Sequence, residues 1–397
     1  MEITIRNGDS LWYYSRLLSI PFTLLKDSNP KLLSLELEPG KKVRIPGITI
    51  QRYKIKKGDS FFAIAEKKGI PVDALYLFNQ SVNPKKIFPN DEIFIPKCMP
   101  FPIIKARRKY DFNALKQDIE LLMDHYPFIK KQTIGFSVLG KPIEMISIGN
   151  GQKKVHVNGS FHGNEWITSG ILMNFINEYL QALTSNRLLN EIEPLSLYKD
   201  TTLLAVPMVD PDGVDLAING PPENKEYREL VLKINNGNRD FSDWKANIRG
   251  VDLNNQFPAK WEIEQKRKPH KPASRDYPGE KPLTEPEAIA MADAADRFEF
   301  DRIIALHTQG KEIYWGFEGD EPMPVSAEIV DEFEKASGYK AIRYLDSYAG
   351  YKDWYIQEYK RPGFTVELGI GVNPLPLRQF DQIYKDTRGL LLAGLYM

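Results

Sequence analysis

Asn158-Gly159-Ser160-Phe161-His162-Gly163-Asn164-Glu165-Trp166 joins an apolar run over residues 154–158 to a long amphipathic stretch over 165–183. The first run is short and is followed at once by glycine, so it reads as a buried strand, whereas the second has helical spacing. A strand that feeds a helix through a loop of small residues is the unit of an α/β sheet. Such sheets build their sites at the carboxyl ends of their strands. His162 and Glu165 stand in that loop at spacing i, i+3, which puts both on one side of a first helical turn. One imidazole nitrogen and one carboxylate can then face a single ion. Zinc takes such ligands at about 2.0–2.2 Å, and a catalytic site adds a third protein ligand and a water.

A His-x-x-Glu is common by chance, so its meaning depends on the rest of the chain. Residues 113–126 and 286–298 have helical patterns, and Thr284-Glu285-Pro286-Glu287 has the spacing of a capping box. Strands are expected around 135–138, 143–148, 203–207, 302–306 and 363–368. Their alternation with helices predicts an α/β domain with a mixed, largely buried sheet. Residues 221–283, rich in Pro, Lys and Asn, are expected to form long surface loops.

Two of these strands end on chemistry. His307 closes the apolar run 302–306 and opens Thr308-Gln309-Gly310, so it is either a third metal ligand or a strand-end histidine bonded to backbone. Glu367, in Phe364-Thr365-Val366-Glu367-Leu368-Gly369, is a lone carboxylate in an apolar strand. A charge there is costly unless it is paired or put to work, so it reads as a buried ion pair or as a base near a metal. His125, His156 and His270 suit core or solvated positions.

The front of the chain is an internal repeat. Ile5-Arg6-Asn7-Gly8-Asp9-Ser10-Leu11-Trp12 returns fifty residues later as Ile55-Lys56-Lys57-Gly58-Asp59-Ser60-Phe61-Phe62. Pro21, Leu25, Asn29 and Pro39 match Pro71, Leu75, Asn79 and Pro89. Each copy, 1–47 and 50–97, reads as βααβ: a short strand, a helix capped by Ser10 or Ser60, a helix opened by Pro21 or Pro71, and a strand stopped by proline. Residues 96–102 form a proline-stiffened junction to a third domain, 101–397.

Composition narrows the function. Lys+Arg and Asp+Glu both number 53, so there is no basic surplus of the kind nucleic acid demands. The single cysteine, Cys98, rules out an intramolecular disulfide or a thiolate metal cluster. No run approaches the roughly 18 apolar residues of a membrane span. Met1–Gly8 has neither a basic leader nor an apolar segment, so the protein is expected to be cytoplasmic as synthesised.

The βααβ copies, with their Gly-Asp-Ser, Asn-Pro and Ile-Pro punctuation, resemble the LysM module. That resemblance implies binding to N-acetylglucosamine-containing polymers such as peptidoglycan. The contacting loops would hold Gly8 and Asp9 with residues 30–33, and Gly58 and Asp59 with residues 81–85, Asn83 among them. Two such sites in tandem raise avidity on a repetitive polymer.

His162-x-x-Glu165, His307 and Glu367, in that order, are similar to the zinc carboxypeptidase (carboxypeptidase A-like) family. Gly250-Val251-Asp252-Leu253-Asn254-Asn255-Gln256-Phe257 resembles its Val-Asp-x-Asn-Arg-Asn stretch, and Asp353-Trp354 precedes the last glutamate as it does there. The resemblance implies one Zn2+ per chain on His162, Glu165 and His307, with Glu367 as general base and Asp252 orienting a ligand histidine. It further implies Lys245 or Arg249 as oxyanion stabiliser, where the family normally has arginine, and Tyr348 or Tyr344 as its mobile tyrosine. Asn254-Asn255 stands where the family has Asn-Arg, and asparagine cannot supply the charge that grips a terminal carboxylate. The expected scissile bond is therefore internal.

LysM modules fused to this domain resemble the bacterial γ-D-glutamyl-L-diamino acid endopeptidases of sporulating bacilli. That implies cleavage of peptidoglycan stem peptides, with Arg249, Arg275 and Arg378 as candidate receptors for their carboxylates. The alternatives are a zinc carboxypeptidase on ordinary peptides, a zinc deacylase of N-acyl amino acids, and a wall-binding protein with a dead catalytic domain.

Overall fold

The computed structural model describes residues 1–32, 37–99 and 102–397. Leu33 of the first expected glycan loop, and Pro100 and Phe101 of the junction, lie outside the described residues. Contacts group the chain into two compact units. One is Met1–Ile104 with Ile119–Ile129 and Asn177–Leu195; the other is Lys105–Asp118, Lys130–Ile176 and Ser196–Met397.

In the first unit each repeat folds as βααβ. Copy one runs β1 (Glu2–Thr4), helices Leu11–Leu18 and Phe22–Ser28, and β2 (Lys42–Arg44). Copy two runs β3 (Ile48–Lys54), helices Phe61–Lys68 and Val72–Phe78, and β4 (Glu92–Cys98). Both strand pairs are antiparallel. Ser10 and Ser60 accept a bond from the backbone N–H three residues on, each at 3.1 Å. Pro21 and Pro71 sit just before the second helix, at its N-cap, and not within its first turn. β4 continues through Pro96 to Cys98, since an edge strand tolerates a residue with no N–H to donate.

The matched asparagines have a shared purpose. Asn29 donates to Leu25 O and Arg44 O and accepts from Arg44 N, all at 2.8 Å. Asn79 repeats this with Leu75 and Phe94 at 2.7–2.8 Å. Each stitches the end of a helix to the closing strand. The copies are joined to each other by Asp73, which accepts from Arg6 at 2.6 and 2.9 Å and from the Tyr13 hydroxyl at 2.5 Å. Lys56, Ala63 and Thr23 stand at the corresponding positions of the other copy, so this clasp forms once.

The second unit is built on one eight-stranded sheet. Its strands are β5 (Lys130–Phe136), β6 (Pro142–Ile148), β7 (Lys153–Asn158), β8 (Thr201–Val206), β9 (Arg302–His307), β10 (Glu312–Trp315), β11 (Lys340–Arg343) and β12 (Gly363–Glu367). The order is β11-β10-β12-β9-β7-β8-β6-β5. The central four, β12, β9, β7 and β8, are mutually parallel, while β10 and β6 run antiparallel to their neighbours in that core. Parallel strands bury both faces, and β9 is accordingly buried at every position. Phe161, Phe257, Met291, Phe300, Ile303 and Tyr351 share one core cluster on the sheet.

Several expectations need correction. Glu165 belongs to a 3-10 turn, Gly163–Glu165, and the long helix starts only at Ile167. The capping box at 284–287 does not form. The Thr284 hydroxyl is drawn to Gln256 Oε1 at 3.0 Å, and Glu287 accepts from Val138 N at 3.0 Å. Residues 221–283 are not simply surface loops. They hold helices Lys225–Ile234 and Trp261–Arg267 and bury Trp244, Asp252, Leu253 and Phe257. Their apolar residues are too scattered for a periodic signal and find partners only across the fold.

Candidate metal centre

β7 ends at Asn158 and the chain turns sharply at Ser160, whose φ is 47°. That turn is held by buried bonds from Ser160 N to the Thr168 hydroxyl at 2.8 Å and between the Ser160 and Ser169 hydroxyls at 2.7 Å. Gly163 is required next, because a Cβ there would stand 2.5 Å from the backbone of Gly213. The turn delivers His162 and Glu165 beside the end of β9, where His307 is directly paired with Glu367 of β12.

Three ligand atoms converge. His162 Nδ1 lies 3.0 Å from Glu165 Oε1, His307 Nδ1 lies 3.1 Å from Glu165 Oε2, and the two Nδ1 atoms are 3.3 Å apart. All three residues are buried. Among the described residues this is the one group of three or more His, Cys, Asp or Glu side chains close enough to share an ion. A tetrahedral zinc with arms of about 2.0–2.1 Å sets its ligand atoms about 3.3–3.4 Å apart, so the donor set fits that metal in type and in spacing. Each imidazole can give its Nδ1–H to one oxygen of Glu165, and the same three side chains can instead turn their lone pairs on one shared cation.

The surrounding charges hold this arrangement. His162 Nε2 is bonded to Asp252 Oδ1 at 3.1 Å, and Asp252 Oδ2 is paired with Lys245 Nζ at 2.7 Å. Fixing the far nitrogen in this way leaves Nδ1 free to bind metal. Burial opposes the charge on His162, but Glu165 and Asp252 together raise its pKa to about 9 in the metal-free protein. Burial likewise works against Glu165 and Asp252, yet both are held below the usual carboxylate range, Glu165 by the two histidines and Asp252 by Lys245 and His162. Glu367 goes the other way. Burial and then repulsion from Glu165 push it up to about 8. His307 is lowered, mainly by burial.

These groups line a cleft of about 500 Å³, and the expected site residues divide around it. Lys245, Asn254, Arg275 and Glu367 line it with the three ligands. Arg249 does not, because it is turned to Glu285 at 3.4 Å. Asn255 is buried and accepts from Lys268 Nζ at 2.8 Å, also away from the cleft lining. Tyr348 is held elsewhere, its backbone N–H on Glu264 at 2.8 Å and its ring beside Lys260 and Arg267. The Tyr344 hydroxyl binds Glu321 at 2.8 Å, and Arg378 is exposed outside the cleft. His156 is a core residue, stacked on Phe300 and bonded to Leu204 O.

Sequence reasoning missed Lys352 and Asn373 as lining residues, and noted Asp353 only within Asp353-Trp354, without a place in the cleft. Lys352 and Asp353 are both buried and both reach the cleft. Asn373 reaches Glu165 Oε1 at 3.4 Å while clamped to Thr308 by bonds of 2.8 and 2.9 Å. A buried lysine beside an aspartate was the available signal for the first pair; nothing local marks Asn373.

In the repeat modules, Gly8 and Gly58 take φ of 82° and 88°, a left-handed turn that suits glycine. Asp9 accepts from Arg6 and Tyr14, Asp59 from the Tyr53 hydroxyl and Lys56 N, and Asn83 from Lys85 N. Those side chains brace their own loops.

Comparison with known proteins agrees with this architecture. The family model described as zinc carboxypeptidase matches residues 115–388, and the LysM domain model matches 3–46 and 53–96. Over 397 residues, all of both chains, this protein is 49% identical to "Gamma-D-glutamyl-L-diamino acid endopeptidase 1" of Lysinibacillus sphaericus. It is 48% identical over 297 residues to "Uncharacterized protein YqgT" of Bacillus subtilis (strain 168), covering 74% of this chain and 79% of that one. The crystal structure of thrombin activatable fibrinolysis inhibitor shares the fold, with a TM-score of 0.57 at 20% identity over 73% of this chain and 74% of that one. Among the described residues no helix is long and apolar enough to cross a membrane. By its peptidase domain, its His-Glu-His centre and its end-to-end likeness to a relative with the same layout, this chain, with two LysM domains at its front, belongs to the zinc carboxypeptidase family.

Proposed function

We propose that this chain is a zinc peptidase that hydrolyses peptidoglycan stem peptides between γ-D-glutamate and the diamino acid, releasing L-Ala-γ-D-Glu. Its LysM domains hold it to the N-acetylglucosamine-containing glycan. The observation that carries this reading is the 49% identity, over the full length of both chains, to a protein named for that cleavage.

His162, Glu165 and His307 hold the ion. When bound there, zinc polarises a carbonyl oxygen and lowers the pKa of water to about 7. Glu367 takes a proton from the attacking water and passes it to the leaving amine. Its place beside His307 at the ends of paired strands, and its raised pKa, suit a group that must both accept and give a proton near neutrality. Asp252 fixes the His162 ring. Lys245 gives one N–H to Asp252 and one to Asp276, which leaves a third for a developing oxyanion.

The cleft also supports an internal scissile bond. Asn255 carries no charge and faces Lys268, so it does not offer the arginine grip that defines a free carboxyl terminus. Arg275, at the cleft and more than half exposed, is a receptor for a carboxylate further along the substrate. Gly8, Asp9, Gly58, Asp59 and Asn83 mark the loops proposed for glycan contact.

The test is release of L-Ala-γ-D-Glu from a defined stem peptide by wild type and by Glu367→Ala, with and without chelator. Cleavage that vanishes in the variant and on chelation supports the reading. Zinc-loaded wild type that leaves the stem peptide intact overturns it in favour of ordinary peptides or N-acyl amino acids.

A further inference from the structure

Arg6 stands just before the Gly8-Asp9 turn of copy one and holds a carboxylate on each side of its guanidinium. Nε and one terminal nitrogen donate to Asp9 at 2.8 and 3.2 Å. The two terminal nitrogens donate to Asp73 at 2.9 and 2.6 Å. Asp73 belongs to copy two, in the first turn of helix Val72–Phe78, and it also accepts from the Tyr13 hydroxyl of copy one. A second tie runs the same way. Gln80 Nε2 of copy two donates to Thr4 O at 2.7 Å, at the end of the strand that leads into the turn.

The turn of copy two is braced differently. Asp59 accepts from Lys56 N and from the Tyr53 hydroxyl, each at 2.8 Å, and both partners lie in its own copy. Asp9 accepts from no backbone N–H among the described residues; its partners are the Arg6 guanidinium and the Tyr14 hydroxyl. A free arginine side chain samples many rotamers, and ordering it costs entropy. Asp73 orders Arg6 when the two copies dock, so the Asp9 turn meets a ligand already in place.

On the reading that Gly8 and Asp9 mark a glycan-contact loop, we infer that Asp73 of copy two is a positioning residue for the sugar site of copy one. The dependence is one-sided. Copy one needs Asp73 docked against it, whereas copy two braces its own turn. An N-acetylglucosamine oligomer carries no charge, so these ion pairs act through the shape of the loop and not on the sugar.

Copy one carries its own reporter. Trp12 lies three residues beyond Asp9, is 63% exposed, and is the one tryptophan of the two repeats, the others beginning at Trp166. The full chain is titrated with N-acetylglucosamine pentamer while tryptophan fluorescence is followed. Trp12→Phe identifies the part of the signal that belongs to copy one, and calorimetry reports total binding. Asp73→Asn is expected to raise the Kd read at Trp12 by about tenfold, the scale of one charge-assisted hydrogen bond. Asp73→Glu, which keeps the charge, is expected to recover part of that loss.

Wild type supplies a second measurement, which decides the matter if Asp73→Asn fails to fold. The Arg6 and Asp73 side chains are 26% and 34% exposed, so salt screens their attraction. The Kd at Trp12 should therefore rise between about 0.01 and 1 M salt although the ligand is uncharged, and in folded Asp73→Asn it should barely move. A clasp that only stabilised the fold would leave the affinity of folded wild type independent of salt. An unchanged Kd in folded Asp73→Asn, or a wild-type Kd indifferent to salt, would overturn the inference and leave the glycan reading intact. Calorimetric binding that Trp12 does not sense would overturn it too, since copy one would then hold no sugar. Binding seen by neither method would take down the glycan reading itself.

Discussion

His307 and Glu367 end adjacent parallel strands and lie directly opposite one another across them. A metal ligand and a carboxylate are thereby placed by the register of a buried sheet, where a slip of one residue would turn both side chains to the other face. Glu312, the residue paired with Glu367 on its other side, begins the antiparallel strand β10 and adds to the repulsion that raises the pKa of Glu367.

Glu367→Gln keeps the shape of that strand end and removes the proton acceptor. Peptide hydrolysis should fall by about 10²- to 10⁴-fold, the usual share of a general base. Zinc content measured on the same sample should match wild type. Activity within tenfold of wild type would take Glu367 out of the reaction.

Asp252→Asn removes the anion that holds His162 Nε2 and leaves Lys245 with Asp276 alone. Loss of such an outer partner typically weakens metal binding by about 10- to 100-fold. Competition against a chelator of known affinity measures it, and unchanged affinity would show that the ring is positioned by packing.

In the metal-free protein His162 is raised from 6.5 to about 9 and Glu367 from 4.5 to about 8. Both shifts are upward, so the folded state holds protons that the unfolded state has already released, and stability falls as pH rises through that range. Urea midpoints of chelator-treated protein should therefore decline between pH 6.5 and 9. Zinc competes with the same proton, so its apparent affinity should rise with pH and level off above about 9. A flat profile in both measurements would contradict the charge arrangement.

Tyr351 is fully buried, and among the described residues its hydroxyl has no hydrogen-bond partner. Burying an unpaired hydroxyl costs roughly 1–3 kcal/mol by mutational measure. Tyr351→Phe keeps the ring among Phe161, Phe257 and Trp354 and should raise thermal stability, by about 1 kcal/mol or more. A lower melting temperature would mean that the hydroxyl is satisfied.

Much of this protein was legible in its sequence because the signals were local. The fifty-residue repeat, the serines that cap its helices, and the apolar runs ending at Asn158, His307 and Glu367 all state their roles within a few neighbours. Spacing along a strand or a helical turn is fixed by backbone geometry, so His162-x-x-Glu165 could be read as a ligand pair before any fold was known. Which charges serve the cleft could not be read that way. Arg249 looked as suitable as Lys245, being four residues away in the same segment, yet one is turned to Glu285 and the other to Asp252. Lys352 and Asp353 reach the cleft only because the sheet brings helix Tyr351–Tyr359 beside a loop nearly two hundred residues earlier in the chain. The sequence by itself determined the modules, the strands and the ligand types, all of which follow from short-range periodicity and residue chemistry. Only the tertiary structure decided which cations face the site, because a long charged side chain goes to whichever opposite charge the fold brings within reach.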